Sequence, residues 1–356
     1  MIHTPKASIA MREISYADAL YEAVHDEMKR DNSVFVYGLG VDDPKGMYGT
    51  TLDLHKEFGE FRNFDTPLSE DAMTGFGIGA ALSGMRPIHV HQRMDFLLLC
   101  MNQLINIGAK TRYMFGSDYS VPMVVRAIIG RSWGQGAQHS QSFHSYFTHV
   151  PGLQVVAPTT PYDAKGCMVA AIRNNNPVIF LEHRMLYKNK GDVPSDLYEI
   201  KPGKSRILVE GDAVTIVAIS HMVVEALRAA NILREMGINA EVIDPVYLAP
   251  LDTQTIVYSV MKTRKLLVVD HSWIASGLSA EIVAKVIEDI PDLTAIKTAR
   301  MGYAESPCPT TKFLEDFFYP TPNSIAKKAY QLISGKKNWV DKAVASVEIN
   351  EFKGPF

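Results

Sequence analysis

A chain of 356 residues is long enough for two ordinary domains, each with its own core. With 47% apolar and 21% charged residues it has the balance of a globular protein, and no apolar run reaches membrane-spanning length. A net charge of −3 removes the electrostatic case for nucleic acid or an anionic membrane as partner.

Cys100, Cys167 and Cys308 are odd in number and far apart, so they read as reduced, buried thiols without a disulfide or metal role. Sixteen Met, fifteen Tyr and fifteen Phe predict generous apolar surface, part of it facing partner subunits. The opening Met1-Ile2-His3-Thr4-Pro5 has no apolar signal core, which points to the cytoplasm.

In chain order, Ser15-Tyr16-Ala17-Asp18 opens a helix whose stripe of Ala19, Leu20, Ala23, Val24 and Met28 ends near Asp31. Residues 33–37 read as a buried strand that turns at Gly38-Leu39-Gly40. A helix and a strand then lead to Phe64-Asp65-Thr66-Pro67-Leu68-Ser69-Glu70. There an apolar lead and a Pro bend open an Ala/Gly-rich helix and place the Glu70 carboxylate near a helix N-terminus. The ordinary use of such an acid is to answer the helix dipole. Gly75, Gly77 and Gly79 lack the spacing of a dinucleotide fingerprint, and close helix packing is their expected use. Residues 87–91 read as a strand and 95–114 as one long buried helix.

Residues 121–129 are almost continuously apolar, as a central parallel strand should be, and open into the polar, Gly-rich loop 130–140 that carries His139. Ligands sit at the carboxyl ends of such strands, so this loop is a second candidate site element. Thr160-Pro161-Tyr162-Asp163 caps a helix through Arg173, and residues 177–182 close the first layer as a strand. Residues 186–210 read as an irregular connection. Strands at 213–220, 239–243, 265–270 and 295–301 alternate with helices at 221–236, 252–262 and 279–288, which predicts a second α/β layer with a structural and subunit-pairing role. The fold class is therefore α/β with parallel sheets: a first domain over 11–190 with helices on both faces, a linker over 191–212, a smaller domain over 213–335, and a loosely held tail over 336–356.

Several segments come in one order at compact spacing. They are Asp65 to Glu70, Gly84-Met85-Arg86-Pro87, Ala137-Gln138-His139-Ser140-Gln141, His149-Val150-Pro151-Gly152-Leu153, and Asp163-Ala164-Lys165-Gly166 with Asn175-Asn176-Pro177-Val178. Over about residues 11–335 this resembles the β subunit of thiamine-diphosphate-dependent 2-oxo acid dehydrogenases, the E1 components of pyruvate, branched-chain and acetoin dehydrogenase within the transketolase-like superfamily. The resemblance implies a pyrimidine-binding domain followed by a transketolase C-terminal-type domain.

Thiamine becomes reactive when a carboxyl group hydrogen-bonds the N1′ nitrogen of its pyrimidine, and by resemblance Glu70 is that group. Phe96 matches the aromatic that packs against the aminopyrimidine, though alone it reads as a core residue. His139 matches the family histidine near substrate and acyl acceptor, where a near-neutral pKa suits proton transfer. Met123, Ala171, Ile172, Asn174 and Asn176 match positions that bind potassium in some relatives, with Asn174 standing where those relatives have Asp. The alternative use of this set is a capped helix end before Pro177.

No Gly-Asp-Gly segment followed about thirty residues later by Asn occurs, and that is the pattern by which thiamine enzymes hold Mg²⁺ and diphosphate. A second polypeptide is then expected to bring both, giving an α2β2 heterotetramer with a β–β pair at its centre. Leu39 and Val90 stand where the family usually has Glu, and His91-Gln92-Arg93 and Glu182-His183-Arg184 depart from its wording. Three functions stay open: oxidative decarboxylation of a 2-oxo acid with acyl transfer to a lipoyl-bearing acyltransferase, a two-chain carboligase that uses an aldehyde or keto sugar as acceptor, and a non-catalytic dimerising subunit.

Overall fold

The computed structural model describes residues 10–131 and 134–342. Along the chain the strands are β1 (Met11–Ser15), β2 (Val34–Gly38), β3 (Asn63–Phe64), β4 (Arg86–His91), β5 (Val124–Ile129), β6 (Gln154–Val156), β7 (Val178–His183) and β8 (Lys190–Pro194). They continue as β9 (Arg206–Val209), β10 (Val214–Ala218), β11 (Ala240–Asp244), β12 (Tyr247–Ala249), β13 (Lys265–Val269) and β14 (Lys297–Met301). The principal helices are α1 (Tyr16–Arg30), α2 (Glu70–Leu82), α3 (Pro161–Arg173), α4 (Met222–Arg234), α5 (Thr253–Thr263), α6 (Leu278–Asp289) and α7 (Pro322–Ser334).

A seven-stranded sheet runs in the order β12-β6-β7-β5-β4-β2-β3, parallel except for the edge strand β12. Side chains alternate across it as the pleat requires. Val34, Val36, Val124, Ile128, Val178 and Phe180 pack under α1 and α3, while Phe35, Tyr37, Val125, Ala127, Ile179 and Leu181 pack under α2 and the segment 94–114. A five-stranded sheet, β14-β13-β10-β11-β9, is parallel except for β9, with α4 and α7 on one face and α5 and α6 on the other. The apolar cluster under α2 continues unbroken beneath α5 and α6, so the two layers share one core.

Local signals place the helix starts. The Ser15 hydroxyl accepts from the Asp18 N–H while the Asp18 carboxylate accepts from the Ser15 N–H, a complete capping box. At α3 the Thr160 hydroxyl accepts from the Asp163 N–H, with Pro161 at the first helical position. All three cysteines are free and buried, as expected.

Four expectations change. Residues 95–114 form no single buried helix: short turns at Met94–Leu97 and Leu98–Cys100 lead into a π-helical stretch, Asn102–Gly108, and a last helix, Ala109–Met114. Its outer side leaves Leu99, Ile107, Tyr113 and Met114 in solvent, because an apolar run reports apolar residues and not which of them a single chain covers. The connection 186–210 contains β8, paired antiparallel with β1, and β9, the edge of the second sheet. Of the three helical glycines only Gly77 packs tightly; nothing lies within 4 Å of a Cβ at Gly79, and Gly75 meets only the flexible Gln103 at 3.8 Å. The first part of the tail is docked, with Lys342 and Asn323 exchanging two hydrogen bonds and Trp339 against Tyr330; residues 343–356 lie outside the described residues.

One ion pair ties the middle of the first sheet. Arg126 on β5 grips Glu182 on β7 with two hydrogen bonds of 2.5 and 2.8 Å, both side chains fully buried, while Thr50 accepts from Arg126 and Tyr187 donates to Glu182. Glu182→Gln leaves that guanidinium buried beside a neutral amide and is expected to lower unfolding free energy by about 3–5 kcal/mol in urea titration. An unchanged midpoint would show that the pair is not needed.

Candidate active site

Because β2, β4, β5 and β7 run the same way, the loops at their carboxyl ends gather on one edge of the sheet. A cavity of about 500 Å³ opens there, lined by Glu70, Phe96 and His139 together with Leu39, Leu68, Met73, Val90 and Arg93. Three residues distant in sequence thus share one concave, largely apolar surface.

Glu70 is the first residue of α2 and is partly buried. The Ser69 side chain makes no capping bond, so Glu70 and Asp71 are the acids of the helix's first turn. The Tyr37 hydroxyl donates to the Met73 carbonyl at 3.0 Å, and the Cys100 thiol donates to the Glu70 carbonyl at 3.2 Å. Gly77 lets this happen: a Cβ there would lie 2.0 Å from the Tyr37 hydroxyl oxygen. The backbone of the turn is held, and among the described residues no side chain pairs with the Glu70 carboxylate.

The loop that carries His139 is latched to the turn that carries Phe96. Gln141 donates to Asp95 Oδ1 from its backbone (3.1 Å) and from its side chain (2.9 Å). The latch sets the Phe96 and His139 rings edge to face, 5.2 Å apart. Burial raises the Asp95 carboxyl, and the Gln141 bonds pull it back. From the second layer, Ser272 donates to the Ser142 carbonyl at 2.7 Å. Gly136 rests on Thr310, where a Cβ would sit 2.6 Å from the threonine hydroxyl. The second layer therefore buttresses the site loop. The loop residues Ser132 and Trp133 lie outside the described residues.

The remaining wall is histidine-rich in a way the sequence reading did not extract. His91 lines the cavity, with its Nε2 3.2 Å from Nδ1 of His89, which lies 3.3 Å from the Thr74 hydroxyl and stacks on Tyr37. Burial holds His91 down at about 4, and burial with its neighbour holds His89 well below the usual imidazole range. At the seam of the two sheets His183 and His271 face each other at 2.8 Å, and His221 stacks on His183. Burial is the main reason all three stay neutral, His221 at about 3. The signal was present: Glu182-His183, Ser220-His221 and Asp270-His271 each put a polar residue and a histidine at, or just after, the end of an apolar strand.

The potassium set comes together at the end of α3 and the start of β7, where its oxygens accept hydrogen bonds from the protein. The Met123 carbonyl accepts from Val178 N–H and that of Ala171 from Asn174 N–H, while the carbonyls of Ile172 and Asn174 both accept from the Arg86 guanidinium at 2.9 and 3.0 Å. Arg112 donates to the Asn176 side chain. Arg86 thus brings a positive charge to two of these carbonyls. Among the described residues no group of three or more His, Cys, Asp or Glu is arranged to hold a metal ion, and no helix is long and apolar enough to cross a membrane.

Comparison with known proteins bears on this geometry. Residues 12–190 match the family model "Transketolase, pyrimidine binding domain" and residues 203–325 match "Transketolase, C-terminal domain". The chain is 41% identical to the acetoin:2,6-dichlorophenolindophenol oxidoreductase subunit beta of Bacillus subtilis (strain 168), over 90% of this chain and 98% of that protein. It is 39% identical to the pyruvate dehydrogenase E1 component subunit beta of Gracilaria tenuistipitata var. liui, over 91% of this chain and all of that one. A solved split-gene transketolase, described as an inactive beta4 tetramer, superposes with a TM-score of 0.74 at 19% identity, covering 90% of this chain and 99% of that one, which shows the shared fold.

The buried histidines make a pH prediction. Their folded pKa values are depressed below that of free imidazole, so between pH 6.5 and about 4 the unfolded chain binds protons that the folded chain does not, and stability falls as pH falls. Each such group contributes a slope of up to about 1.4 kcal/mol per pH unit. A melting temperature that declines steadily from pH 6.5 to 4 is expected; a flat profile would contradict these assignments.

Proposed function

This chain belongs to the family of thiamine-dependent E1 β subunits of 2-oxo acid dehydrogenases, and from that premise we propose that its cavity receives the pyrimidine ring of thiamine diphosphate with Glu70 at the ring nitrogen. The observation that carries the reading is the convergence of a carboxylate, an aromatic ring and a loop histidine on one cavity. An aminopyrimidine suits that donor set, since it has a flat apolar face for Phe96 and Leu68 and a basic nitrogen for a carboxyl group. When bound, the coenzyme supplies a carbon nucleophile that attacks the 2-oxo carbonyl and permits loss of carbon dioxide.

The work of this chain is to hold and move protons around that event. Glu70, fixed by the anchored first turn of α2, holds a proton at the pyrimidine nitrogen. Phe96 and the apolar wall keep water from one face of the site. His139, held by the Asp95–Gln141 latch, stands where the acyl acceptor enters and gives or takes a proton there.

The metal and the diphosphate grip belong, in this reading, to an α chain, because the Gly-Asp-Gly pattern is missing from this one. The working unit is α2β2, and the acceptor is the lipoyl group of an acyltransferase.

Glu70→Gln in the complex with its α chain should leave assembly intact and lower carbon dioxide release from the preferred 2-oxo acid by roughly 10²–10⁴-fold. Turnover equal to wild type would contradict the assignment. Lipoamide dependence of product formation decides the acceptor.

A further inference from the structure

Shortly after His139 the chain is tied down at every residue from 141 to 144, from both layers of the protein. Toward the first layer, Gln141 bonds Asp95 and the Phe143 N–H donates to the Met94 sulfur at 3.3 Å. Toward the second, Ser272 donates to the Ser142 carbonyl at 2.7 Å. The Ser142 hydroxyl lies 2.9 Å from Nδ1 of His144, which opens the short helix His144–Thr148. The other ring nitrogen of His144, Nε2, lies 3.0 Å from Oδ1 of Asp270, the residue after β13. Ser142, His144 and Asp270 are all fully buried.

A carboxylate out of reach of water must find its compensation inside the protein. One oxygen of Asp270 accepts the Ser279 N–H at the start of α6, at 3.2 Å, which fixes the direction of the group. The other faces His144. Neither Oδ1 nor Nε2 has a hydrogen-bond partner among the described residues, and their contact lacks the alignment of a hydrogen bond, so each is compensated by the other alone. A bare nitrogen would repel the carboxylate, so Nε2 carries the proton and Ser142 bonds at Nδ1. The pair is an electrostatic pin between the layers, five residues beyond His139. His144 does not line the cavity, so its effect on the reaction passes through the loop.

We infer that His144, paired with Asp270, is a positioning residue for the acyl-acceptor end of the site. It fixes the loop on which His139 gives or takes its proton, and so acts on transfer of the acyl group and not on release of carbon dioxide. The anchors of the Glu70 turn, Tyr37 and Cys100, belong to the first layer and do not involve the pin. The inference rests on the proposed role of His139 and gives the second layer a part in the chemistry.

The test separates the two half-reactions in the α2β2 complex loaded with thiamine diphosphate and Mg²⁺. Carbon dioxide release is followed with ferricyanide as electron acceptor, and acyl transfer with lipoamide. His144→Phe keeps a ring and removes both polar contacts. It is expected to slow acyl transfer about 10- to 100-fold, the scale of a reacting group misplaced by about 1 Å, and to leave carbon dioxide release within about twofold of wild type. Asp270→Asn keeps the shape of its side chain and should show the same split, so the test stands even if the phenylalanine variant fails to assemble. His144→Gln retains a donor for Asp270 and should recover part of the loss. Acyl transfer at the wild-type rate in both variants would overturn the inference. So would an equal loss in both half-reactions, which would assign the pin to stability alone. His139→Ala is the control: if it leaves acyl transfer unchanged, the proposed role of His139 falls and takes the inference with it. If it slows acyl transfer while His144→Phe and Asp270→Asn do not, the inference falls alone.

Discussion

The site depends on the contact between Tyr37 and the first two turns of α2. A tyrosine on β2 reaches across to bond the Met73 carbonyl, and a glycine one turn later leaves room for its ring. The neighbouring rings of Phe35, Phe64, Phe76 and His89 pack around the same tyrosine, so the helix can neither slide nor roll without breaking an aromatic cluster. The consequence is a carboxylate whose backbone is fixed to the sheet while its oxygens stay available to a ligand. Preorganisation of that kind is what an acid needs if it is to act at a defined ring nitrogen.

The second layer gives this arrangement its other half. It shares the apolar core under α2, sends β12 into the edge of the first sheet, and supports the His139 loop through Ser272 and Thr310. Histidines from β7, and from the residues after β10 and β13, meet at the seam and are kept neutral by burial. Arg93 brings a guanidinium to the cavity lining, with the Asp95 carboxylate nearby.

Much of this is legible in the amino-acid order, and what is legible is local. Ser15 and Thr160 state their helix starts within four residues, the apolar run before Gly130 marks a central strand, and Glu70 and His139 lie where strand ends and helix starts should put them. The helix Pro322–Ser334 has the same grammar, Thr321-Pro322 at its start and Gly335 at its end, and the sequence reading assigns nothing there. The edge strands β1 and β8 are harder, because each finds its partner about 180 residues away and neither carries a long alternation. The π-helical turn in 102–108 shifts which residues face inward, and periodicity cannot register that. Charge clustering at the site is the least legible of all, since Arg93, Arg131 and Arg184 become neighbours only once β4, β5 and β7 lie side by side.

The central claim is that the residue 70 carboxylate activates the coenzyme through its pyrimidine. Deuterium exchange at the thiazolium C2 carbon of thiamine diphosphate bound to the complex, followed by NMR after acid quench, reads that activation before any substrate is present. Exchange fast enough to precede turnover in the wild-type complex, and slowed by orders of magnitude in Glu70→Ala at equal coenzyme occupancy, is what the structure predicts. Equal exchange rates in the two proteins would contradict it.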